Sequence, residues 1–562
     1  MKNNTKKRTL ALVCALTAGA STFAGCAKKT ADNEQVLEIL LWDAGYGVQW
    51  CSDLLDAFKQ ENWVKEKYPN LEIVFTSDSD NSMIGTKIDA GERANTVDLF
   101  FGTGMSVYEG TDSTGYAMMS DLTETVYNQK VPGEEITVKD KMDEGYRESI
   151  RFYEKGQDSN SSDVPFKAYA FPWASGMDSI LYNADHLKAI NMEVPLTTDQ
   201  FIESCQTIVE DKPFTYNAQA NGDYAILTSS SGHYWYDLYP SWWAQYEGIK
   251  EYYNFFNGVA NNRISADVHR QKGKLYSLEV LEKVLDWDNG YLYQKRTGLE
   301  FMQAQTKFIE GEGVFYSNGD WFAKEMEETV KDVEELKGVK YDIRMMPLPI
   351  ISKIIEKTPS IPDDETLRAV IRAIDNGNET IQMAKMDNVK GYELLSGVTE
   401  TDYAVILQAR GIVHSLGSTH RALVPSYAKG KEIAFDFLRF MATDNAQEIY
   451  MRATGGASLP FEYDVERKNP DLYAQLLPIE KDRLNIEYNA VYETTVLPDP
   501  QTFPLVKWGE MAPIYSLGGM NIIAYFASKD AQGTAQQIYD NDIKYYIDGG
   551  NFNSCRDRAG LN

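Results

Sequence analysis

The chain has 562 residues, with 55 lysines and arginines against 83 aspartates and glutamates, so its formal net charge is −28. A surface this acidic repels phosphate backbones, which argues against nucleic acid as a partner. With 43% hydrophobic residues the chain can bury a full core, and its length allows more than one domain.

The N-terminus combines the features of an export signal. Basic residues between positions 2 and 8 precede an uncharged apolar run at residues 10–20, which is too short to span a membrane. The Ala-Gly-Cys ending at Cys26 resembles the lipobox of bacterial lipoproteins. This resemblance implies a signal peptide over residues 1–25, diacylglycerol on Cys26, a tether over residues 26–35 and an extracytoplasmic, membrane-anchored protein. The alternative is ordinary secretion with a free Cys26.

Strand and helix patterns alternate after the tether. Residues 36–42 and 71–76 predict strands, and residues 49–68 between them predict a helix with one apolar side. A helix at residues 82–90 and a strand at residues 96–101 follow. This order is typical of an α/β domain with a mainly parallel sheet. No dinucleotide fingerprint follows the first strand, because a tryptophan occupies the position of its third glycine.

The middle of the chain contains a capped helix and an aromatic stretch. Thr197 and Gln200 form a capping-box pattern, and the helix they begin has Cys205 on its apolar face. The densest aromatic stretch follows at residues 234–256. Later patterns predict helices at residues 301–310, 363–375, 431–443 and 533–547, and strands at residues 313–317, 341–349 and 403–407.

The cysteines indicate neither a disulfide framework nor a metal site. Cys14 leaves with the signal peptide, and the lipobox resemblance assigns Cys26 to the anchor. The three that remain, Cys51, Cys205 and Cys555, are odd in number and widely spaced. The sequence predicts no cofactor.

Five segments in order resemble the family 1 extracellular solute-binding proteins of ABC importers, which include maltose-binding protein. Residues 168–187 (AYAFPWASGMDSILYNADHL) resemble the stretch where that chain first crosses between lobes. Residues 308–321 (FIEGEGVFYSNGDW) resemble the family's strand that ends in Gly-x-Trp. The other three segments are residues 96–102, 194–205 and 431–460. Their order and spacing make the resemblance specific.

The resemblance implies a type II periplasmic-binding-protein-like α/β fold, with two lobes, a hinge and a ligand cleft between them. By analogy, residues 36–170 and 301–355 form the N-terminal lobe, and residues 171–300 and 400–510 form the C-terminal lobe. Residues 356–399 are then an insertion, and residues 511–562 form a C-terminal helical extension.

The resemblance also implies a ligand. A sugar has apolar C–H faces, which aromatic rings match, and hydroxyl groups, which carboxylates match. Trp321 matches the family tryptophan that stacks on sugar, and the adjacent Asp320 is either a hydroxyl acceptor or a helix N-cap. Trp42, Asp43 and Tyr46 lie at the end of the first strand, where a cleft should open.

The other candidate ligand residues are aromatic. Trp173 lies in the crossing segment, Phe101 precedes a glycine where the family can place an aromatic, and Trp508 matches a late tryptophan. Trp242 and Trp243 diverge by about 100° on a helix, so one of them is expected in the core. The family's aromatic region of the second lobe corresponds to Tyr234, Trp235, Tyr236, Trp242 and Trp243.

The leading hypothesis is a monomeric lipoprotein that captures a carbohydrate, in particular an oligosaccharide, and delivers it to ABC permease subunits. A peptide or another small solute on the same fold is the first alternative. A surface glycoside hydrolase is the second, and it needs two carboxylates about 5 or 6.5–9.5 Å apart. The sequence contains neither Gly-x-Ser-x-Gly nor His-Glu-x-x-His, so we predict that the protein is not an enzyme.

Overall fold

The computed structural model describes residues 35–111, 115–214, 224–229, 234–293, 299–512, 526 and 534–561. The predicted signal peptide, Cys26 and all of the tether except Gln35 lie outside these residues, as does part of the predicted C-terminal extension. No described helix is both long enough and apolar enough to cross a membrane.

In chain order the strands are β1 (Val36–Trp42), β2 (Glu72–Asp78), β3 (Leu99–Thr103), β4 (Ala170–Pro172), β5 (Met177–Asn183), β6 (Val259–Ala260), β7 (Arg263–Ile264), β8 (Phe315–Gly319), β9 (Ile343–Met346), β10 (Ile412–Ser415), β11 (His420–Leu423) and β12 (Thr495–Val496).

The first sheet has the strand order β2-β1-β3-β11-β4. Strand β1 is parallel to β2 and β3, whereas β11 runs antiparallel to β3 and β4. Leu37, Ile39 and Leu41 face one core cluster, and Leu40 faces another. A strand covered on both faces needs a continuous apolar run, which explains the sequence of β1. The predicted α/β pattern is confirmed, but the predicted mainly parallel sheet is wrong: two pairings are parallel and two are antiparallel, because β11 and β4 join the sheet from later in the chain.

The second sheet has the strand order β12-β10-β5-β8, and β9 also pairs with β5. Its pairings are antiparallel except for that of β10 with β12. The helices Trp235–Glu247 and Lys272–Leu285 pack against each other in one of the two large core clusters, which also includes residues of β5 and β8. Strands β6 and β7 form a separate hairpin.

Helices surround both sheets. Those of eight residues or more are Gln49–Gln60, Ser82–Ala90, Thr198–Asp211, Trp235–Glu247, Ile249–Asn257, Lys272–Leu285, Phe301–Ile309, Glu327–Lys337, Asp364–Asp375, Glu400–Arg410, Lys431–Met441, Asp444–Thr454, Pro478–Glu487, Ala535–Ile543 and Asn551–Ala559. The shorter ones are Asn62–Lys67, Val138–Lys141, Glu144–Ser149, Ala184–Ala189, Phe322–Glu325, Ile381–Met386, Val465–Lys468, Pro470–Gln475 and Pro504–Lys507.

One predicted strand is wrong: residues 403–407 lie in the helix Glu400–Arg410. The Thr399 side chain accepts a hydrogen bond from the Asp402 N–H group and caps the helix. Tyr403, Ile406 and Ala409 are buried, which is the spacing of a helical face and not of a strand. A short apolar run fits either a strand or a buried helix, and the N-cap before this one favours the helix.

Several predicted boundaries shift. The helix predicted over residues 49–68 breaks at Glu61, whose backbone is extended, into two helices. Thr197 caps its helix as predicted, but the Gln200 side chain accepts from the N–H of Leu196 instead of from the cap residue. Cys205 is fully buried, as its position on the apolar face predicted.

The limits of the two lobes remain a prediction, and strand pairing groups some segments differently. Strands β8 and β9, from the segment assigned to the N-terminal lobe, pair with β5 in the second sheet. Strand β11, from the segment assigned to the C-terminal lobe, pairs with β3 and β4 in the first. The chain therefore passes between the sheets again after β10.

Candidate functional site

Two short segments carry the chain between the sheets. Residues 173–176 connect β4 to β5, and residues 416–419 connect β10 to β11. The Leu416 N–H group donates to the Gly176 carbonyl at 2.9 Å. A Cβ on Gly417 would overlap the backbone carbonyls of Ala174 and Ser175, and Gly176 has a left-handed φ of +58°. Close backbone contact therefore requires glycine in both segments.

A continuous row of aromatic rings lies beside these crossing segments. We call Trp42, His420, Tyr46, Trp321 and Tyr234 the junction track. Trp42 stacks on His420 at 5.8 Å between ring centroids, and His420 meets Tyr46 edge-on at 5.9 Å. Tyr46 then meets Trp321 at 6.4 Å, and Trp321 meets Tyr234 at 5.1 Å. The track connects the end of β1 to the start of the helix Trp235–Glu247.

The junction track therefore brings together four of the predicted ligand residues, namely Trp42, Tyr46, Trp321 and Tyr234. Two more predicted ligand residues, Trp173 and Phe101, pack beneath it. Trp173 contacts Tyr46 and His420 and donates its indole N–H to the Gly102 carbonyl at 3.1 Å. Phe101 packs edge-on against Trp173. Both Trp173 and Phe101 are fully buried, so in this conformation they form the base of the track and present no surface to a ligand.

Trp321 is packed more tightly than a surface stacking residue. Only 6% of it is exposed. A Cβ on Gly45 would lie 3.0 Å from its Cδ1 atom, and a Cβ on Gly319 would overlap its ring. The absence of side chains at these two glycines makes room for the indole between them. Trp321→Ala is therefore expected to destabilise the fold as well as to affect binding.

Asp320 binds protein groups in this conformation. Its carboxylate accepts from the Tyr46 hydroxyl at 2.6 Å and from the Ser175 hydroxyl at 2.9 Å. The N-cap of the short helix after it is Trp321 rather than Asp320, so the alternative role as a cap does not apply. Asp320 connects the loop after β1, the first crossing segment and the end of β8.

A buried group of charges supports Asp320 from behind. We call Asp320, Glu480, Glu487 and Arg483 the Arg483 cluster. Arg483 Nε lies 3.9 Å from the Asp320 carboxylate and 3.6 Å from that of Glu480, and Nη1 pairs with Glu487. Arg483 Nη2 also donates to the Gly456 carbonyl at 3.0 Å. Three carboxylates thus share one guanidinium in the protein interior.

This excess of carboxylates shifts their proton affinity. Burial raises the pKa of Glu480 to about 8, although the charge of Arg483 opposes the shift. Both oxygens of the Glu480 carboxyl are buried and lack a hydrogen-bond partner among the described residues. Burial also raises the pKa of Asp320, again against Arg483. A proton on Glu480 at neutral pH reduces the repulsion among the three acids.

Two track residues and one neighbour reach solvent. Trp42 and Tyr234 are half-buried, and Asp43 is exposed. His420 is buried, and burial lowers its pKa to about 4, so it is neutral at pH 7. Its Nδ1 lies 2.9 Å from the Leu416 carbonyl, which assigns the proton to Nδ1. The accessible surface of the track thus consists of aromatic faces with a free carboxylate beside Trp42.

A polar group that sequence reasoning missed lies at the other end of the track. His414 Nδ1 is 3.0 Å from Asp178 Oδ1, where β10 pairs with β5. Burial raises the pKa of Asp237, in the first turn of the helix after Tyr234, and the charge of Asp178 adds to this effect. These residues form no motif, because 236 positions separate Asp178 from His414. Only strand pairing brings them together.

The remaining predicted ligand residues lie apart from the track or in the core. Trp242 and Trp243 are both buried, and they donate to the Pro349 carbonyl at 3.0 Å and to Gln271 at 2.9 Å. Both are therefore core, where one was expected. Trp235 is fully buried, and Tyr236 is half-buried against the same core cluster. Trp508 donates to the Tyr153 carbonyl at 2.9 Å and packs on Phe152.

The described residues contain no group of three or more histidine, cysteine or acidic side chains that could hold a metal ion. Cys51, Cys205 and Cys555 are buried and unpaired. The described site therefore consists of aromatic rings, carboxylates and hydroxyls, which suits an uncharged polar ligand with apolar faces.

Comparisons with known proteins give a family and a fold. A family model described as bacterial extracellular solute-binding protein matches residues 52–360. No curated protein sequence matches the chain. The chain resembles apo RafE from Streptococcus pneumoniae, with a TM-score of 0.53 and 14% identity over 92% of this chain and 97% of that one.

Two further structures show the same likeness. RafE in complex with raffinose has a TM-score of 0.51 and 13% identity, over 90% of this chain and 98% of that one. Maltose-bound MalE3 of T. maritima has a TM-score of 0.51 and 14% identity, over 91% and 98%. At these identities the likeness concerns the fold, and it confirms the predicted fold class.

Proposed function

Because the chain belongs to the bacterial extracellular solute-binding proteins, we propose that it captures an oligosaccharide at the junction track and delivers it to an ABC permease. The observation that supports this most is the track itself. Trp42 and Tyr234 offer partly accessible aromatic faces, and Asp43 offers a free carboxylate beside them. Aromatic faces and hydroxyl acceptors together are what a sugar ring requires.

The names of similar structures support the same ligand class. RafE is described with raffinose and MalE3 with maltose. We therefore favour a neutral oligosaccharide over the alternative of a peptide or another small solute. A hydrolase is disfavoured because the family is one of binding proteins.

Closure about the crossing segments is the proposed motion. The Tyr46–Asp320 hydrogen bond joins a loop of the first sheet to the end of a strand in the second. Contacts that a ligand makes with both sides would favour the closed form, because only differential affinity shifts a conformational equilibrium. The permease would then distinguish the closed shape from the open one.

A lipid on Cys26 is the proposed anchor, and the protein acts as a monomer on the outer face of the membrane. A tether of about ten residues keeps the receptor near its permease and raises its effective concentration there. Cys26→Ala is expected to release the protein into the medium and to abolish labelling by a radioactive fatty acid. Membrane retention with labelling intact would contradict the anchor.

Calorimetry against maltotriose, raffinose, chitotriose and a set of tripeptides tests the ligand. We expect at least one glycan to bind with micromolar affinity or better and the peptides not to bind. Trp63→Ala, in a half-buried tryptophan outside the track, serves as the control for Trp42→Ala. Binding of peptides alone would contradict the carbohydrate assignment, and a cleaved glycan product after incubation would favour the hydrolase.

A further inference from the structure

We propose that His414 is a ligand-contacting hydrogen-bond donor at the Tyr234 end of the junction track, and that Asp178 is its positioning residue. This inference rests on the proposed function, because it assumes a ligand rich in oxygen acceptors. It adds a residue that neither the sequence motifs nor the family match assign.

The contact between the two residues is fixed by the second sheet. His414 in β10 lies directly opposite Asp178 in β5, on the same face of the antiparallel pair. Nδ1 of the imidazole is 3.0 and 3.2 Å from the two carboxylate oxygens. The Asp178 side chain is fully buried. A buried carboxylate thus keeps a proton on Nδ1 and fixes the orientation of the ring.

The other side of the imidazole is available. The His414 side chain is 17% exposed, and Nε2 has no hydrogen-bond partner in the part of the chain that the structure describes. The strand ends at Ser415, where the second crossing segment begins, so His414 lies next to the hinge. A donor there lies next to the residues that connect the two sheets.

The position of His414 relative to the track follows from shared neighbours. Asp178 in β5 is paired with Gly319 in β8, and the Trp321 ring lies where a Cβ on Gly319 would be. The Asp320 N–H group donates to the Met177 carbonyl at 2.9 Å, so the residue before Trp321 is bonded to the residue before Asp178. The Asp178–His414 pair therefore lies beside the end of the track formed by Trp321 and Tyr234.

The buried side of this group contains polar atoms without partners. Oδ2 of Asp237 and Oγ of Ser241 are one helical turn apart on the same helix face. Ser317 Oγ lies opposite Ile180, on the same face of the sheet as Asp178. None of these atoms has a hydrogen-bond partner among the described residues. The helix Trp235–Glu247 packs against β5 and β10, so these polar atoms lie on the buried side of the Asp178–His414 pair.

The charge of His414 follows from the acids that face it. Burial alone lowers the pKa of the imidazole, but Asp178 raises it through its charge and its hydrogen bond, with smaller contributions from Asp237 and Asp499, to about 9. Asp499 is itself paired with Arg421 at 3.1 Å. At pH 7 both ring nitrogens therefore carry protons, and Nε2–H can donate to a sugar oxygen.

Such a donor complements the rest of the site. Asp43, the exposed carboxylate at the other end of the track, can only accept hydrogen bonds when ionised. A charged imidazole donates a stronger bond than a neutral group does. Above pH 9 the imidazole loses a proton and Nε2 becomes an acceptor, so affinity should decrease roughly tenfold between pH 7 and 10.

Histidine NMR tests the proposal directly. The chain contains five histidines, namely His186, His233, His269, His414 and His420. We expect the resonance that disappears in His414→Gln to titrate near pH 9. The tightest binder among maltotriose, raffinose and chitotriose should raise that pKa, because the ligand oxygen stabilises the charged form. An unchanged titration together with affinity that is constant from pH 7 to 10 would overturn the proposal.

Two variants of His414 distinguish the loss of a ligand contact from the loss of side-chain packing. His414→Gln keeps a neutral N–H donor and should lose several-fold in affinity and all of the pH dependence. His414→Leu removes the donor and should lose more affinity, and its melting temperature should also fall because the buried Asp178 carboxylate loses its partner. Asp178→Asn should lower the pKa of His414 and move the decrease in affinity to lower pH. Equal affinities for wild type, Gln and Leu variants at pH 7 would overturn the contact.

The outcome also distinguishes this inference from the proposed function. If a glycan binds but neither the resonance nor the affinity responds to pH, only the role of His414 is overturned. If no glycan binds, both are overturned.

Discussion

Two aromatic regions of this protein have similar composition and different environments. The helix Trp235–Glu247 contains three tryptophans, all at most 2% exposed, and two of their indole N–H groups bind protein acceptors. The junction track is assembled from distant segments, reaches solvent at Trp42 and Tyr234, and has carboxylates beside it. The first region is core, and the second has the features of a site.

The comparison shows that aromatic density along the sequence is a poor indicator of ligand contact. Neighbouring aromatic side chains on one helix mostly pack into the core beneath that helix, because they are the largest apolar groups available for burial. A site instead needs rings from several segments together with polar groups left available. The following experiments test that distinction, from the largest expected effect to the smallest.

Trp242→Ala tests whether the helical aromatics are core. Removal of a fully buried indole should lower the free energy of unfolding by about 3–5 kcal/mol. Urea denaturation measures the loss, and calorimetry on the folded variant should show affinity within twofold of wild type. A tenfold loss of glycan affinity at unchanged stability would place Trp242 in the site. The helix and the junction track would then no longer differ in role.

Arg483→Met tests the support behind the track. The variant leaves three buried carboxylates without a cation, which should cost about 3 kcal/mol of stability. Arg467→Met is the control, because Arg467 is exposed and its ion pair contributes at most about 1 kcal/mol. Equal urea midpoints for the two variants would show that the Arg483 cluster does not stabilise the fold.

Trp42→Ala and Trp321→Ala separate the surface of the track from its interior. Trp42 is half-buried, so its removal should weaken glycan affinity roughly tenfold with little change in melting temperature. Trp321 is packed between Gly45 and Gly319, so its removal should lower stability by about 2–3 kcal/mol as well as affinity. If only Trp321→Ala affects binding, the ligand lies deeper than the exposed surface suggests.

Glu480→Gln gives the smallest effect, and its sign depends on pH. Burial raises the pKa of Glu480 from 4.5 to about 8 in the folded protein. The protonated acid favours folding below pH 4.5, and this contribution is lost as pH rises through 8. The variant should therefore gain stability relative to wild type between pH 7 and 8, on the order of 1 kcal/mol. Urea midpoints at both values measure the difference, and a constant difference would contradict the shifted pKa.

Much of the fold was predictable because local rules are strong. A continuous apolar run predicted β1, and an N-cap aspartate with a glycine beyond the last turn predicted the helix Asp364–Asp375. The error at residues 403–407 arose where a five-residue apolar run fits a strand or a buried helix equally well. The helix N-cap at Thr399 is the signal that resolves this ambiguity.

The site was predictable only in part. Trp42, Tyr46, Trp173, Tyr234 and Trp321 were identified from strand ends and family motifs, and they do lie together. His414 and His420 were missed because they lie in a segment with no motif. Asp178 and Asp237 were missed although they lie within residues 168–187 and 234–256, because a sequence motif does not show which side chains face the site. Their proximity depends on the pairing of β10 with β5 and of β11 with β3 and β4.

The sequence by itself determined the helix caps, the buried strands and the family. It also showed that the cysteines lack the spacing of a disulfide framework or a metal site. These depend on neighbours within a few residues or on ordered motifs. Tertiary structure decided which aromatics are core and which carboxylates share a cation. Burial and charge–charge distance are properties of the folded chain, so identical residues such as Trp242 and Trp42 acquire different roles only after the sheets and helices have packed.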